Sequence, residues 1–336
     1  MDRPPPRTVL IVCLRRIGDV LLTTPLAASM RSAWPESRIT WLVFDGTQGP
    51  LGASAAADDI LLLPERPSIA QSLRLLARIW QRFDLAVSAQ AGDRPNWFAR
   101  FASARAVGMR SSAAGGFLRD ALMNQVVAPP ERAHRTEQVL ALCTALQITP
   151  QRQLLVPLAR EPSETVAQPY WVLHPGAAFV YKQWNREGWR TLVWAATHEG
   201  IGVVVTGGGS EAEVRYLDEL FEGLNVLRLD GRLSWQELVW VLERAQWFIG
   251  VDTSVTHLAA AVNERVVPIF GPTDPLLWAP MTNGAPIPVL QQALHSCQPC
   301  QLEGCDRHIR SRSKCLDELG ADQVMHFMRA QESSKA

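Results

Sequence analysis

The chain has 336 residues, 47% of them hydrophobic and 20% charged, with a formal net charge of zero. That length exceeds one ordinary α/β core and suits two domains, and the balanced charge argues against a nucleic-acid partner. No apolar stretch approaches the roughly 20 residues that a bilayer span needs, and the polar, proline-rich start, Met1–Thr8, precedes an apolar run too short for a signal core, so a cytoplasmic protein is expected.

Short β-rich runs then alternate with helical patterns. Val9–Leu14 reads as a strand, Val20–Arg31 as a helix, and Ile39–Phe44 and Ile60–Leu63 as strands. Ile69–Arg82 is helical, because Leu73, Leu76 and Ile79 recur at helical spacing. Leu85–Ser88 and Arg105–Gly108 read as strands and Thr136–Leu146 as a helix. Thr149–Gln168 is rich in proline and charge and reads as a linker. The alternation restarts with strands at Trp171–His174, Val203–Thr206, Val226–Leu229, Phe248–Val251 and Val266–Phe270. Helices are expected around Trp189–Thr197, Glu211–Phe221, Trp235–Glu243 and Val255–Val262. Two such series imply an α/β protein of two Rossmann-like, doubly wound domains facing a central cleft. The expected bounds are residues 1–160, then 161–320, then a C-terminal helix and tail over 321–336.

In such sheets ligands bind beyond the carboxyl ends of the strands, so the residues there are the candidates. Arg15-Arg16-Ile17-Gly18-Asp19 follows the first strand. Asp19 is either a helix N-cap or a carboxylate able to act as general base. His174-Pro175-Gly176 opens the second half, and Lys182 follows, placed for an anion or simply on the surface. Asp252-Thr253-Ser254 stands between a strand and a helix of small residues, with His257 four residues after Thr253. These residues are either a good cap with a buried histidine or a cradle for a diphosphate. Phe270–Pro275 is a polar turn expected beside them. Gly207-Gly208-Gly209-Ser210-Glu211-Ala212, with Asp230 beyond, fits the G-x-G-x-x-A dinucleotide fingerprint and supports a rival, an NAD-dependent oxidoreductase. Glu211 and Glu213 oppose that rival, since they set negative charge where a pyrophosphate would lie.

Two further features stand apart. Arg94, Arg100, Arg105, Arg110, Arg119, Arg132 and Arg135 are opposed only by Asp120 and Glu131, which is either a solvated face or a patch for an anionic partner. Cys297, Cys300, Cys305 and Cys315 are spaced closely enough for a structural zinc or iron site, with free thiols or disulfides as the alternatives.

Arg16-Ile17-Gly18-Asp19-Val20-Leu21-Leu22-Thr23-Thr24-Pro25-Leu26, His174-Pro175-Gly176, Lys182-x-Trp184, Asp252-Thr253-x3-His257-Leu258-Ala259-Ala260-Ala261 and Phe270-Gly271-Pro272-Thr273-Asp274-Pro275 occur in this order. Together they resemble glycosyltransferase family 9, the ADP-heptose:lipopolysaccharide heptosyltransferases, and in particular members like heptosyltransferase III. The resemblance implies a GT-B fold and inverting transfer of a heptose from ADP-heptose to the lipopolysaccharide core without a catalytic cofactor. It also implies a lipid-linked or other glycan acceptor at the inner membrane surface, to which the protein would be peripheral. By the same resemblance Asp19 is the catalytic base, and Lys182, Asp252, Thr253, Ser254 and His257 hold the donor. Some similar enzymes act on protein instead and hold iron with a cysteine cluster, which leaves that acceptor class open.

Overall fold

The computed structural model describes residues 4–110, 123–291 and 295–333. The chain divides into two compact units, Met1–Pro157 and Leu158–Ala336.

The first unit is built on six parallel strands among the described residues: β1 (Thr8–Cys13), β2 (Arg38–Phe44), β3 (Asp59–Leu63), β4 (Leu85–Ser88), β5 (Ala106–Met109) and β6 (Gln125–Val127). Their spatial order is β3-β2-β1-β4-β5-β6. The helices are α1 (Ile17–Ala33), α2 (Ile69–Ile79), α3 (Asp93–Ala102), α4 (Arg135–Leu140) and α5 (Leu142–Leu146). Alternation along β1 sends its side chains to two cores. Val9, Ile11 and Cys13 pack with Val20, Met30, Val139 and Leu142 from α1, α4 and α5. Leu10 and Val12 pack with Leu75, Ile79 and Phe98 from α2 and α3. A sheet covered on both faces explains why its strands are near-continuous apolar runs.

Helix α1 carries Pro25 in its interior. Proline has no N–H to give to the carbonyl four residues earlier, and here the Thr24 hydroxyl donates to Leu21 O at 2.8 Å instead. A buried proline is thereby tolerated without an orphaned carbonyl.

The second unit has strands β7 (Tyr170–His174), β8 (Gly202–Val205), β9 (Leu227–Arg228), β10 (Trp247–Val251) and β11 (Val266–Ile269), all parallel, in the order β11-β10-β7-β8-β9. Its main helices are α6 (Arg186–His198), α7 (Glu211–Phe221), α8 (Trp235–Arg244) and α9 (Ser254–Val262), followed by the short α10 (Pro275–Trp278) and α11 (Lys314–Asp317) and the longer α12 (Ala321–Ser333). A two-residue hairpin, β12 (Met281–Thr282) with β13 (Ala285–Pro286), lies between α10 and α11. The core on one face joins β7, β8 and β10 to α6, α7 and α12, with Trp184 and Trp189 packed edge to face at 4.9 Å.

Strand and helix bounds differ from the expected ones mainly by one to three residues, the usual fraying of element ends. Three differences are larger. The helix expected over Thr136–Leu146 breaks at Ala141 into α4 and α5. Helix α3 was not expected, because Pro95 and two arginines disguise its periodicity, and β6, only three residues long, gives almost no pattern. Arg119 and Asp120 of the arginine-rich run lie outside the described residues.

Trp184 also sets a limit on α6. A Cβ at Gly188 would lie 2.2 Å from the Trp184 ring. Glycine to alanine inside a helix ordinarily stabilises by about 1 kcal/mol. Gly188→Ala is expected to reverse that sign and lower unfolding stability by about 1–3 kcal/mol through overpacking, measured by urea denaturation.

Candidate functional site

In the first unit Asp19 does not cap α1. Arg16 is the N-cap and Asp19 is the third residue of the helix, so the capping alternative is corrected. The helix begins earlier than the apolar pattern indicates because Ile17 and Gly18 already take helical geometry. Asp19 is buried, and two guanidinium groups approach the same oxygen, Oδ1: Arg15 Nη1 at 3.4 Å and Arg135 Nε at 3.4 Å. Arg135 is itself buried at the start of α4 and donates from Nη2 to Ala89 O, just past β4, at 3.0 Å. Burial lowers its pKa and the charge of Asp19 works the other way. Behind the pair, burial first and the Asp19 charge second push the Cys13 thiol up to about 12. Cys13 is therefore a core residue, and its sulfur lies 3.8 Å from the Thr23 hydroxyl.

The arginine-rich run is thus not one surface. Arg94, Arg110 and Arg132 are exposed, whereas Arg135 faces inward to a carboxylate. A run of like charges reads as solvated in one dimension, and nothing in its spacing separates the one arginine that opens α4 and turns in toward α1.

In the second unit the expected donor residues meet at the carboxyl ends of β7 and β10. Lys182 ends a single 3-10 turn, Val180–Lys182, and its Nζ lies 2.5 Å from Asp252 Oδ2. The Thr273 hydroxyl donates to the same oxygen at 2.6 Å. Asp252 therefore ties together three loops: the one after β7, its own after β10, and the one after β11. Thr253 is the N-cap of α9 but makes no side-chain cap bond, so the helix's first N–H groups are left to other partners. Ser254 is half-buried at the first position of α9, and His257 is buried one turn on. Thr273 was visible in the sequence only as part of a turn, since its role depends on β11 lying beside β10.

The loop that carries Lys182 is held from the C-terminal end of the chain. Ser313 Oγ donates to Tyr181 O at 2.7 Å, Trp184 Nε1 donates to Leu319 O at 2.9 Å, and Asn185 Nδ2 donates to Leu319 O at 2.7 Å. Phe179 and Tyr181 stack at 5.2 Å within the loop.

The dinucleotide fingerprint does not keep its space. Ser210 caps α7, and the Glu213 carboxylate lies over the glycines: a Cβ at Gly176 would come within 1.9 Å of it and one at Gly208 within 2.6 Å. A carboxylate there fills the place of a pyrophosphate and repels it. Asp230, the ribose contact of that reading, is bound by Arg228 at 2.6 and 3.0 Å.

The cysteine cluster also departs from expectation. Cys297 and Cys305 are exposed, Cys300 is half-buried and Cys315 is buried in α11. Among the described residues no three His, Cys, Asp or Glu side chains are placed together to hold a metal ion, so the residues do not fit the tetrahedral set. Helix α11 turns Cys315 into the core beside Leu316, where burial, then the nearby Cys305 and Cys300, push its thiol up to about 11.

The sequence model of glycosyltransferase family 9 (heptosyltransferase) matches residues 72–308. The chain belongs to this family. Lipopolysaccharide heptosyltransferase 3 of Escherichia coli is 27% identical over 294 residues, covering 80% of this chain and 85% of that protein. Lipopolysaccharide heptosyltransferase 1 of Pseudomonas aeruginosa is 27% identical over 341 residues, covering 96% and 94%. An Escherichia coli heptosyltransferase solved with ADP matches the fold with a TM-score of 0.73 at 22% identity, covering 96% of this chain and 99% of that one. The protein is thus a family 9 glycosyltransferase of the GT-B class, with both Rossmann-like units present. No helix among the described residues is long and apolar enough to cross a membrane.

His174, which leads into the Lys182 loop, offers a test of this packing. Its Nδ1 lies 2.9 Å from the Thr206 hydroxyl, and burial lowers its pKa from 6.5 to about 4. The folded state therefore binds fewer protons than the unfolded state between these values. The contribution to stability is complete above about 6.5 and is lost as pH falls toward about 4. His174→Asn, which can keep the Thr206 contact without titrating, is expected to flatten this pH dependence, measured by denaturant melts across the window.

Proposed function

We propose that this glycosyltransferase moves a heptose from ADP-heptose to a hydroxyl of the lipopolysaccharide core, with inversion at the anomeric carbon. The observation that carries the reading is the convergence of Lys182 and Thr273 on Asp252 at the N-terminus of α9, in a family whose relatives above are lipopolysaccharide heptosyltransferases. One relative holds ADP. A helix N-terminus with an adjacent ammonium suits a diphosphate. The second unit is then the donor side, with Thr253, Ser254 and His257 around the phosphates, and the first unit is the acceptor side.

In the proposed reaction the acceptor oxygen attacks the anomeric carbon, the bond from that carbon to the diphosphate breaks, and the hydroxyl proton passes to the Asp19 carboxylate. Negative charge grows on the departing ADP, where Lys182 and the N–H groups of α9 act most strongly. Lys182 is paired with Asp252, so the diphosphate shares a cation that is already oriented. The lipid-borne acceptor sets the reaction at a membrane surface.

Three experiments test the assignment. ADP at about 100 times its dissociation constant is expected to stabilise the protein by about 2.7 kcal/mol in thermal melts, with UDP, GDP and NAD giving less. A response to UDP or GDP alone would reject the heptose donor. Asp19→Asn is expected to lower turnover by about 10²–10⁴-fold while leaving ADP stabilisation in place. Lys182→Ala should instead weaken ADP binding by about tenfold or more, the worth of one charged hydrogen bond. Near-normal transfer by Asp19→Asn would remove it as the base.

A further inference from the structure

Strand β11 is the outer strand of the second sheet, and the chain comes back to cover its open side. After the β12–β13 hairpin, Leu290 N–H donates to Pro268 O at 2.9 Å and Phe270 N–H donates to Leu290 O at 3.0 Å. Leu290 pairs with Ile269 in a parallel bridge and is buried in the core of this unit. That register delivers the next residue, Gln291, to the carboxyl end of β11, where the loop of Gly271, Pro272 and Thr273 begins.

Gln291 is half-buried. Its amide nitrogen carries two N–H groups, and both are spent on that loop. Nε2 donates to Gly271 O at 2.7 Å and to Thr273 O at 2.8 Å. The carbonyl between them accepts from the backbone, Gln301 N–H to Pro272 O at 2.7 Å. Three successive carbonyls are thus bound from the segment after β13. The loop also lies against α11, since a Cβ at Gly271 would come within 2.7 Å of the Leu316 side chain. Pro272 fixes its own φ. A loop held at so many atoms has little freedom to turn the Thr273 side chain.

The Thr273 hydroxyl donates to Asp252 Oδ2 at 2.6 Å, the same oxygen that faces Lys182 Nζ. Asp252 is buried, so bulk water is poorly placed to replace a hydroxyl that swings away. A carboxylate oxygen divides its negative charge between the donors that face it, so the loss of one strengthens its hold on the other. The Thr273 contact therefore loosens the hold of Asp252 on the ammonium group.

We propose that Gln291 is a positioning residue of the donor site: its two hydrogen bonds fix the loop after β11, keep the Thr273 hydroxyl on Asp252 and so leave Lys182 available to a nucleoside diphosphate. Gln291 acts through Thr273 and does not itself bind the donor. It stands 18 positions beyond Thr273 and outside every motif of the sequence; only the return of the chain along β11 brings it to the site. The inference rests on the donor site proposed above and adds the residue that holds it in order.

The test is calorimetric titration of the full chain with ADP. Gln291→Met keeps the length of the side chain and donates nothing. It is expected to weaken ADP binding about three- to tenfold, the worth of a hydrogen bond to the backbone. Gln291→Glu, of the same size, sets a carboxylate against two carbonyl oxygens at pH 8 and should weaken binding at least as much. In transfer assays both variants should raise the KM for the donor and leave that for the acceptor unchanged, a split that a general loosening of the fold would not produce. A double-mutant cycle checks the route. Thr273→Val is expected to weaken ADP binding, and on that background Gln291→Met should cost less than about twofold more. Full additivity would overturn the proposal, because Gln291 would then act elsewhere. Wild-type ADP affinity in either Gln291 variant, even with lowered stability in urea, would leave Gln291 a role in the fold alone and overturn it too, as would failure of both variants to fold. Absence of ADP binding by the wild-type chain would instead remove the donor site itself, and the proposed function with it.

Discussion

Between β1 and β4, and again between β7 and β10, the chain leaves neighbouring parallel strands for different places. Strands that carry their connections to opposite faces cannot close the space above their carboxyl ends, and a gap opens there. In the first unit the two faces are plain: α1 packs with Val9 and Ile11, while α3 packs with Leu10 and Val12. Asp19 stands at one such gap and Asp252 at the other. Both positions are set by the strand before them, β1 for Asp19 and β10 for Asp252, whose residues are buried on both sides.

A carboxylate at a gap of this kind is short of water, and each unit answers with a cation from a distant part of the chain. Arg135 reaches Asp19 from α4, and Lys182 reaches Asp252 from the loop after β7. Removing one partner of a buried pair costs about 3–5 kcal/mol, although the pair as a whole contributes little net stability. The pairs therefore serve less to hold the fold than to hold a charge in one place.

The alternation of strands and helices was legible because a parallel sheet demands apolar strands and amphipathic helices in strict turn. The clustering of Lys182, Asp252 and the α9 start at one edge was legible for the same reason: strand order fixes which loops can meet. What stayed hidden depends on third dimensions that no spacing encodes. Arg135 looks like its neighbours Arg132 and Arg110 until α4 is seen to pack against α1, which carries Asp19. Thr273 looks like a turn residue until β11 is placed beside β10. Pro95 and the arginines of α3 concealed a helix whose inner side, Phe98, Ala99 and Ala102, is nonetheless fully packed. The cysteine spacing suggested a metal site, but among the described residues no three His, Cys, Asp or Glu side chains are placed to hold an ion, with Cys315 buried and Cys297 and Cys305 in solvent.

The bonds from Ser313 and Leu319 to Tyr181, Trp184 and Asn185 cross more than 130 positions of sequence. Because a ribosome releases the chain from its first residue to its last, the strand that precedes the Lys182 loop emerges long before the residues that brace it. The first unit can close as soon as Pro157 is out, since domains generally fold as units in order of synthesis. The second cannot finish its edge until nearly every residue has been made. Assembly order is thereby written into the contacts: a chain stopped short of α11 would carry the Asp19 side complete and the Lys182 loop unsupported.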